Sequence, residues 1–201
     1  MRRYTQNIVD FCPVCKLYND ICICSEIKEF TLNTRVSILM HIKEKRKVSN
    51  TGKIANLCLR NSQIIYKGEK YPTTDIKDLI SEDHINLILY PDANSELNKE
   101  FISECDKPIN LIVLDGNYNQ AGKMFRLEKT LRKAKTIRLP LGQIRKCKLR
   151  SPLHPEQIST IEAILNALEI IGDTSANEYM EYLFYEMTLR LKERGQNIKP
   201  I

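Results

Sequence analysis

Long apolar runs are missing from this sequence of 201 residues. The longest, such as 36–40 and 110–114, have the length of a buried strand and are far too short to cross a bilayer. The first fifteen residues also lack the continuous apolar core of a secretion signal. We therefore expect a cytoplasmic protein with no membrane partner.

Glycine is scarce, with seven residues in the whole chain, and tryptophan is absent. The chain also has no internal repeat, low-complexity tract or long linker, which excludes repeat and fibrous architectures. Hydrophobic residues make up 42% of the sequence and charged residues 28%, as in a globular protein. A chain of this length can bury a core as one domain with a small appendage.

Acidic residues are the minority: 25 stand against 31 Lys and Arg, which gives a net charge of +6. Between residues 126 and 150 there are ten basic residues and one acid, and between 43 and 53 there are five and one. Two such concentrations favour a polyanionic partner, above all nucleic acid. The alternative is a pair of solvated basic surfaces without a partner.

Four of the seven cysteines fall within the segment FCPVCKLYNDICIC, residues 11–24. In a reducing compartment, clustered thiols share a metal more often than they form disulfides. The spacing predicts a small knuckle over residues 1–27 whose four thiolates hold a structural zinc with no open coordination position. Because the closing pair is tighter than in most zinc ribbons, a redox pair or an iron–sulfur cluster stays as an alternative. The expected ligands are Cys12, Cys15, Cys22 and Cys24.

Beyond the cysteines, apolar strand-like segments alternate with helical ones. The predicted strands lie near 36–41, 62–68, 85–91, 109–115 and 136–142, and the predicted helices near 52–61, 73–81, 94–105, 117–134, 159–172 and 175–193. Because the strands are apolar on both faces, we expect an α/β fold with a mostly parallel sheet and helices on both of its faces. The helix at 159 has the start of a capping box, with Ser159 followed by Glu162.

Three of the predicted strand ends carry distinctive chemistry. They are Tyr90-Pro91, Asp115-Gly116 and the segment 139–142. Ligands of parallel sheets collect beyond the carboxyl ends of the strands, so neighbouring ends would frame one pocket. The helix after Asp115 is predicted to turn one apolar side to the sheet and one basic side to solvent. The apolar side would consist of Ala121, Met124, Leu127, Leu131 and Ala134, and the basic side of Lys123, Arg126, Lys129 and Lys133.

Five segments in this order resemble the DTW-domain family, the tRNA-uridine aminocarboxypropyltransferases, along nearly the whole chain. The matching residues are the four cysteines; His41, Glu44, Asn50, Thr51 and Gly52; Tyr90-Pro91; Asp115, Gly116, Gln120, Ala121, Lys123 and Met124; and Leu149-Arg150 with Ser159, Thr160, Glu162 and Ala163. The departures are local. Asn117 and Tyr118 stand where the family has Thr and Trp, and Cys147 stands where a Tyr is usual. Tyr118 can still stack on a base, but these departures bear on how the substrate is oriented.

The resemblance implies a SPOUT-like catalytic domain over residues 28–201, with a C-terminal trefoil knot that holds S-adenosylmethionine. It also implies the reaction, which is transfer of the 3-amino-3-carboxypropyl group to N3 of a uridine in tRNA with release of 5′-methylthioadenosine. No obligate protein partner is evident, and the sequence leaves the oligomeric state open. Two other functions are kept as alternatives, a SPOUT-class RNA methyltransferase and a zinc-knuckle RNA-binding module without catalysis.

The resemblance also assigns roles to individual residues. Asp115 is expected to take the proton from the uracil imide or to orient it, and the alternative is that it only caps the next helix. Asn50, Thr51 and Gly52 are expected to hold the amino-acid end of the cofactor, and the alternative is a capping turn. Further residues expected at the cofactor are Leu89, Tyr90, Pro91, Leu114, Gly116, Leu139, Leu141 and Thr160. Those expected at the RNA are Lys43, Lys45, Arg46, Lys47, Tyr118, Lys123, Arg126 and Arg150.

Overall fold

The computed structural model describes residues 10–68, 75–140 and 158–195. Within these ranges five strands form one sheet in the order β2–β1–β4–β3–β5, and every neighbouring pair is parallel. The strands are β1 Arg35–His41, β2 Ser62–Lys67, β3 Ile85–Leu89, β4 Ile109–Asp115 and β5 Lys135–Ile137. The predicted parallel sheet is therefore confirmed.

Five α-helices accompany the described part of the sheet. They are α1 Gly52–Cys58, α2 Lys99–Ser103, α3 Tyr118–Leu127, α4 Thr160–Ile171 and α5 Asn177–Glu193. Short 3-10 turns lie at Asn19–Ile21, Cys24–Glu26, Ile42–Glu44, Lys77–Leu79 and Lys129–Lys133. No helix in these described ranges is long and apolar enough to span a membrane.

Helices cover both faces of the sheet, because alternate residues of the central strands enter two different cores. Leu111 and Val113 of β4 pack with the cluster that includes α1, α4 and α5. Ile112, between them, packs with the cluster that includes Met124 of α3 and Leu131. A strand buried on both faces is apolar at most positions, which is the pattern the sequence shows.

A buried polar network crosses the sheet inside these apolar runs. Asn110 of β4 is fully buried, and its side chain donates to the carbonyl of Leu79 and to Oδ1 of Asn86. Its own Oδ1 accepts from the hydroxyl of Ser37 on β1 at 2.8 Å. Because each buried group finds a partner, the network fixes the relative position of three strands.

Several predicted helices are shorter in the structure. The region near 94–105 contributes only the five residues of α2, and the described part of 73–81 contains a 3-10 turn instead of an α-helix. The helix expected to reach residue 134 ends at Leu127, because Glu128 adopts extended backbone angles and pairs with Lys67 at 3.1 Å. Leu127 is 63% exposed, so its placement on the buried side was wrong.

The cysteine segment packs on the last helix. Cys12, Cys15, Leu17 and Ile23 belong to the same core cluster as Leu191 of α5. Arg190 of α5 donates to the carbonyl of Cys22 at 2.8 Å and pairs with Glu26, and Arg194 pairs with Asp20. The knuckle is thus joined to the sheet domain through α5, and the division of the chain at residues 27 and 28 stays a prediction.

Candidate functional site

The carboxyl ends of β1, β4, β3 and β5 lie side by side. Met40 near the end of β1 pairs with Asp115, and Leu89 at the end of β3 lies between Val113 and Ile137 in register. The backbone N–H of Tyr90 donates to the carbonyl of Ile137 at 2.8 Å, which ties the end of β3 to β5. The strand ends that the sequence marked as distinctive, as far as the structure describes them, are therefore neighbours in the sheet, which meets the condition for a shared pocket.

Asp115 is at the centre of this edge, and its side chain is 4% exposed. Asn50 Nδ2 donates to Oδ2 at 2.8 Å, and Thr160 Oγ1 donates to Oδ1 at 2.9 Å. Burial raises the pKa of the Asp115 carboxyl, and the two hydrogen bonds oppose that rise. Asp115 therefore connects the loop before α1 to the first residue of α4. We call Asn50, Gly52, Asp115 and Thr160 the Asp115 cluster.

Gly52 allows the loop to approach this carboxylate closely. A Cβ at Gly52 would lie 2.5 Å from Asp115 Oδ2, which is closer than any real contact of this kind. The neighbouring Thr51 is buried, and its hydroxyl accepts from the backbone N–H of Ile161 at 3.3 Å. Thr51 makes no side-chain capping bond to α1. Asn50 and Gly52 of this segment therefore belong to the Asp115 cluster, and the expected role of Asn-Thr-Gly at the cofactor stays a prediction.

Asp115 does not cap the helix that follows it. Asn117 is the N-cap of α3: its Oδ1 accepts from the backbone N–H of Gln120 at 2.9 Å, and the Gln120 side chain accepts from the Asn117 backbone N–H at 2.8 Å. The sequence alternative of a capping aspartate is therefore wrong. Asn and Thr are both good N-caps, so Asn117 keeps the physical role that the family's Thr can play.

The expected cofactor wall divides between the two faces of the sheet. Leu89 and Leu139 pack on the side of α4, whereas Tyr90 and Leu114 pack on the side of α3. The Tyr90 ring stacks on Phe125 of α3, with ring centroids 4.4 Å apart. Pro91 is exposed next to Tyr90. Gly116 follows Asp115 at the strand end, and Leu141 lies outside the described residues.

Basic side chains from two elements lie around the same edge of the sheet. Burial lowers the pKa of His41, and the charges of Lys43, Lys123 and Lys47 lower it further, while Glu44 opposes them. The exposed basic side chains here are Lys43, Lys45, Arg46 and Lys47 after β1 and Lys123 and Arg126 on α3, which we call the basic rim. Arg150 lies outside the described residues.

Tyr118 lies at the start of α3 and is 64% exposed. Its hydroxyl donates to Oδ2 of Asp92 at 2.6 Å, which fixes one end of the ring and leaves the rest open to solvent. This hydrogen bond to an acid raises the pKa of the Tyr118 phenol. A fixed and exposed ring next to basic side chains is suited to stacking on a nucleobase.

Lys53 is a buried residue near this site for which the sequence predicted no role beyond its positive charge. It is 8% exposed, and its Nζ donates to the carbonyl of Lys47 at 3.0 Å. Burial lowers the pKa of the Lys53 ammonium to about 8, and the charge of Asp115 opposes that change. Its position directly after Asn-Thr-Gly was the signal that could have identified it.

The four clustered cysteines have the geometry of a metal centre. Their sulfurs all lie within 4.8 Å of one another, with Cys12 and Cys24 at 3.4 Å and Cys15 and Cys22 at 3.7 Å. Four sulfurs around a zinc ion at about 2.3 Å lie about 3.8 Å apart, so the donor set fits zinc. Burial alone would raise the pKa of the Cys12 thiol, but backbone hydrogen bonds from Val14 and Cys15 lower it to about 6.

Curated relatives named tRNA-uridine aminocarboxypropyltransferase 2 are similar to most of this chain. The protein from Mus musculus is 25% identical over 166 residues, which cover 80% of this chain and 56% of the relative. The protein from Macaca fascicularis is 26% identical over 176 residues, covering 85% and 58%. The protein from Drosophila melanogaster is 22% identical over 167 residues, covering 80% and 66%. The chain thus spans less than two thirds of the length of each of these relatives.

A solved structure, the SAM-dependent rRNA:acp-transferase Tsr3 from Vulcanisaeta distributa, is 17% identical to this chain with a TM-score of 0.49, covering 81% of this chain and 79% of that one. The family model for the DTW domain matches residues 9–192, which include the cysteine cluster and the whole Asp115 cluster. The chain belongs to the DTW-domain family.

Proposed function

We propose that this protein transfers the 3-amino-3-carboxypropyl group of S-adenosylmethionine to N3 of a uridine in tRNA and releases 5′-methylthioadenosine. The observation that carries the proposal is the Asp115 cluster, a buried carboxylate bound to an Asn-Thr-Gly loop and to α4 in a DTW-domain chain. The three relatives named above have tRNA-uridine aminocarboxypropyltransferase in their names, which supports the same activity.

The first chemical requirement is a group that removes the imide proton. Uracil N3 attacks well only after it is deprotonated, and a positioned carboxylate provides the base. Both oxygens of Asp115 already accept one hydrogen bond, but each has a second lone pair for the imide proton. Burial favours the protonated form of Asp115, which makes its carboxylate a stronger base than an exposed one.

The second requirement is geometry. S-adenosylmethionine, when bound, supplies a sulfonium whose bond to the γ-carbon breaks as the nitrogen–carbon bond forms, and the electron pair returns to sulfur. The loop that includes Asn50 and Gly52 and the start of α4 at Thr160 both contact Asp115, so they hold the proposed base in one position. Positioning of this kind is a large part of catalysis in transfer reactions.

The third requirement is a place for the RNA. The basic rim supplies cations for phosphates, with Lys123 and Arg126 on α3 itself, and the exposed ring of Tyr118 supplies a surface for a flanking or reacting base. We therefore propose that the RNA backbone lies along the α3 side while the uracil reaches Asp115 at the strand ends.

Several finer assignments belong to this proposal. They are a SPOUT-like classification with a C-terminal knot, a zinc ion on the four cysteines, a cytoplasmic location, and a division into a knuckle of 1–27 and a catalytic domain of 28–201. Residues 141–157 are outside the described parts of the chain. The cysteine geometry supports the zinc ion.

The test is to incubate the protein with bulk tRNA and S-adenosylmethionine labelled in its amino-acid carbons, and to identify the modified nucleoside by mass. We expect labelled 3-amino-3-carboxypropyluridine together with 5′-methylthioadenosine. Formation of S-adenosylhomocysteine with a methylated nucleoside would establish a methyltransferase instead. Failure to bind S-adenosylmethionine would contradict both enzymatic functions.

A further inference from the structure

Tyr118, Gly122 and Arg126 follow one another at intervals of four residues, so they lie on one side of α3. Tyr118 and Arg126 are exposed, and Gly122 between them is buried. A Cβ at Gly122 would lie 3.3 Å from Nη1 of Arg126. The guanidinium of Arg126 therefore lies back over Gly122, toward the start of the helix.

The backbone does not require a glycine at position 122. Gly122 lies inside α3 and is not among the glycines with positive φ. Glycine is less favourable than alanine inside a helix, so its presence there needs a reason. The two groups within 4 Å of the Cβ position are the Arg126 guanidinium and, at 3.6 Å, the hydroxyl of Tyr90. The missing side chain thus leaves room for the guanidinium to lie along the helix.

The ring of Tyr118 is held from two directions. Tyr118 is the first residue of α3, and the capping box of Asn117 and Gln120 fixes that end of the helix. The Tyr118 hydroxyl donates to Oδ2 of Asp92 at 2.6 Å, in the loop after β3. The side chain is still 64% exposed, so one acid positions an aromatic surface that stays open to solvent.

The ring and the guanidinium are close enough to serve one short stretch of RNA. Four helical residues rise by about 6 Å, and Arg126 reaches back over that distance to Gly122. An aromatic ring stacks on any base, and a guanidinium matches the geometry of a phosphate. Each group alone is an ordinary surface feature, and their arrangement on one side of α3 suits a nucleotide.

We propose that this side of α3 is a nucleotide subsite, in which one RNA base stacks on Tyr118 and Arg126 binds an adjacent phosphate. Asp92 and Gly122 are its positioning residues, and the sequence predicted no RNA role for either. The inference rests on the proposed function, because the nucleotide held here is a neighbour of the reacting uridine in the same RNA.

Gly122→Leu tests the subsite without changing any charge. The leucine side chain would occupy the place of the Arg126 guanidinium, so the slope of log tRNA affinity against log salt should become about 0.9 less steep. Arg126→Gln should give the same change, and the double variant should give no more. Fluorescence anisotropy with labelled bulk tRNA measures the slope, and circular dichroism checks the fold. An unchanged slope in folded Gly122→Leu would overturn the inference.

Arg132→Gln is the matched control. Arg132 is exposed in the 3-10 turn after α3 and is not within 4 Å of the Gly122 Cβ position. Gly122→Leu should therefore change the slope as much in the Arg132→Gln protein as in the unaltered one, and not at all in the Arg126→Gln protein. An equal effect in both backgrounds would contradict the contact between Gly122 and Arg126.

Two substitutions of Asp92 test the positioning of the ring, and they decide the case if Gly122→Leu does not fold. Asp92→Asn and Asp92→Ala both remove the charge, but only asparagine keeps an acceptor for the Tyr118 hydroxyl. We expect tRNA to bind about threefold more weakly to Asp92→Ala than to Asp92→Asn. That difference should vanish when Tyr118→Phe is added, and Tyr118→Ala should weaken binding about tenfold. Equal affinities of the two Asp92 variants would contradict the role of Asp92.

The product assay separates this inference from the proposed function. If the unaltered protein binds no S-adenosylmethionine or forms no product with tRNA, the proposed function fails. If it forms product while Gly122→Leu keeps the salt slope and the two Asp92 variants bind tRNA equally, only the nucleotide subsite fails.

Discussion

Asp115 joins segments that are far apart in the sequence. Its hydrogen-bond partners lie 65 residues before it and 45 residues after it, and both bonds are shorter than 3 Å. Gly52 leaves room for this carboxylate, because a Cβ at that position would lie 2.5 Å from Oδ2. These contacts give Asp115 a tertiary role, and substitutions can separate that role from the chemistry we propose for it.

Asp115→Asn should abolish transfer while the protein stays folded. The amide keeps the size of the side chain but cannot accept the imide proton, so we expect activity to fall about 100-fold or more. The modified nucleoside is quantified by mass, and circular dichroism checks the fold. In the unaltered enzyme the acid limb of the pH–rate profile should lie above the usual range of an aspartate, because burial raises the pKa of Asp115. Full activity of the variant would eliminate the role.

Gly52→Ala should destabilise the Asp115 cluster, because it adds a methyl group that collides with the Asp115 carboxylate. The added carbon would lie 2.5 Å from Asp115 Oδ2, so the carboxylate or the loop must move, at a cost of about 1–3 kcal/mol. We expect a lower urea midpoint and weaker binding of S-adenosylmethionine. Gly122→Ala is the control, because its new carbon meets the flexible end of Arg126 at 3.3 Å and alanine favours a helix by about 0.5–1 kcal/mol. Equal effects of the two substitutions would contradict the contact.

At this scale the sequence predicted much of what the structure brings together. Asn50, Gly52, Asp115 and Thr160 were all expected at the site from their family positions, and they are in contact. Lys53 was missed because a lysine in a basic stretch looks exposed, and its burial depends on a fold that the stretch does not encode. The roles of these residues in binding and catalysis stay predictions.

Among the elements, α3 illustrates what periodicity cannot show. Its apolar spacing continues to residue 134, and Glu128 is an ordinary helix former, yet the helix ends before it. The reason is tertiary, because Glu128 pairs with Lys67 of β2, at a distant point of the sequence. The polar network of Asn110 could not be predicted for a similar reason. Its partners Ser37 and Asn86 lie on other strands, and an asparagine in an apolar run does not indicate which residues it contacts.

The cysteine knuckle gives a prediction about an element. If the four cysteines hold zinc, chelation or Cys15→Ser should lower the melting temperature, because Cys15 belongs to the same core cluster as α5. A loss of about 2 kcal/mol corresponds to about 4–8 °C for a chain of this size. Differential scanning calorimetry and the zinc content per chain measure the two effects.

Cys105→Ser is the control for the knuckle. Cys105 is partly exposed and lies outside the cluster, so its loss should leave both zinc content and melting temperature unchanged. A preparation that contains no zinc, or a Cys15 variant as stable as the unaltered protein, would count against a structural metal.

For the whole molecule, charge is arranged around one edge of the sheet. The basic rim includes the loop after β1 and one side of α3, two elements that meet only in the folded protein. Both basic stretches can be read from the sequence. That they lie at the same edge of the sheet depends on the strand order, which the sequence does not reveal. The parallel direction of the strands followed from their apolar composition, but their order depends on side-chain packing between distant segments.

Binding of tRNA should depend steeply on salt. Each phosphate neutralised by a cation contributes a slope of about −0.9 in log affinity against log salt, so six contacts give a slope of about −5. Lys43→Ala and Lys123→Ala should each reduce the slope by about one. Lys107→Ala should not, because Lys107 is exposed just before β4, at the opposite edge of the sheet. Fluorescence anisotropy at several salt concentrations measures the slope, and a flat response would remove the RNA assignment.

The packing of the knuckle on α5 also determines when the protein can finish folding. Arg190 and Arg194 reach partners 164 and 174 positions earlier in the sequence. The ribosome synthesises the knuckle before α5. Leu17 and Ile23 therefore cannot pack against α5 until most of the chain has been made. The core around α5 therefore closes late in folding. A zinc ion bound early by the four cysteines would keep the knuckle compact until α5 has been synthesised.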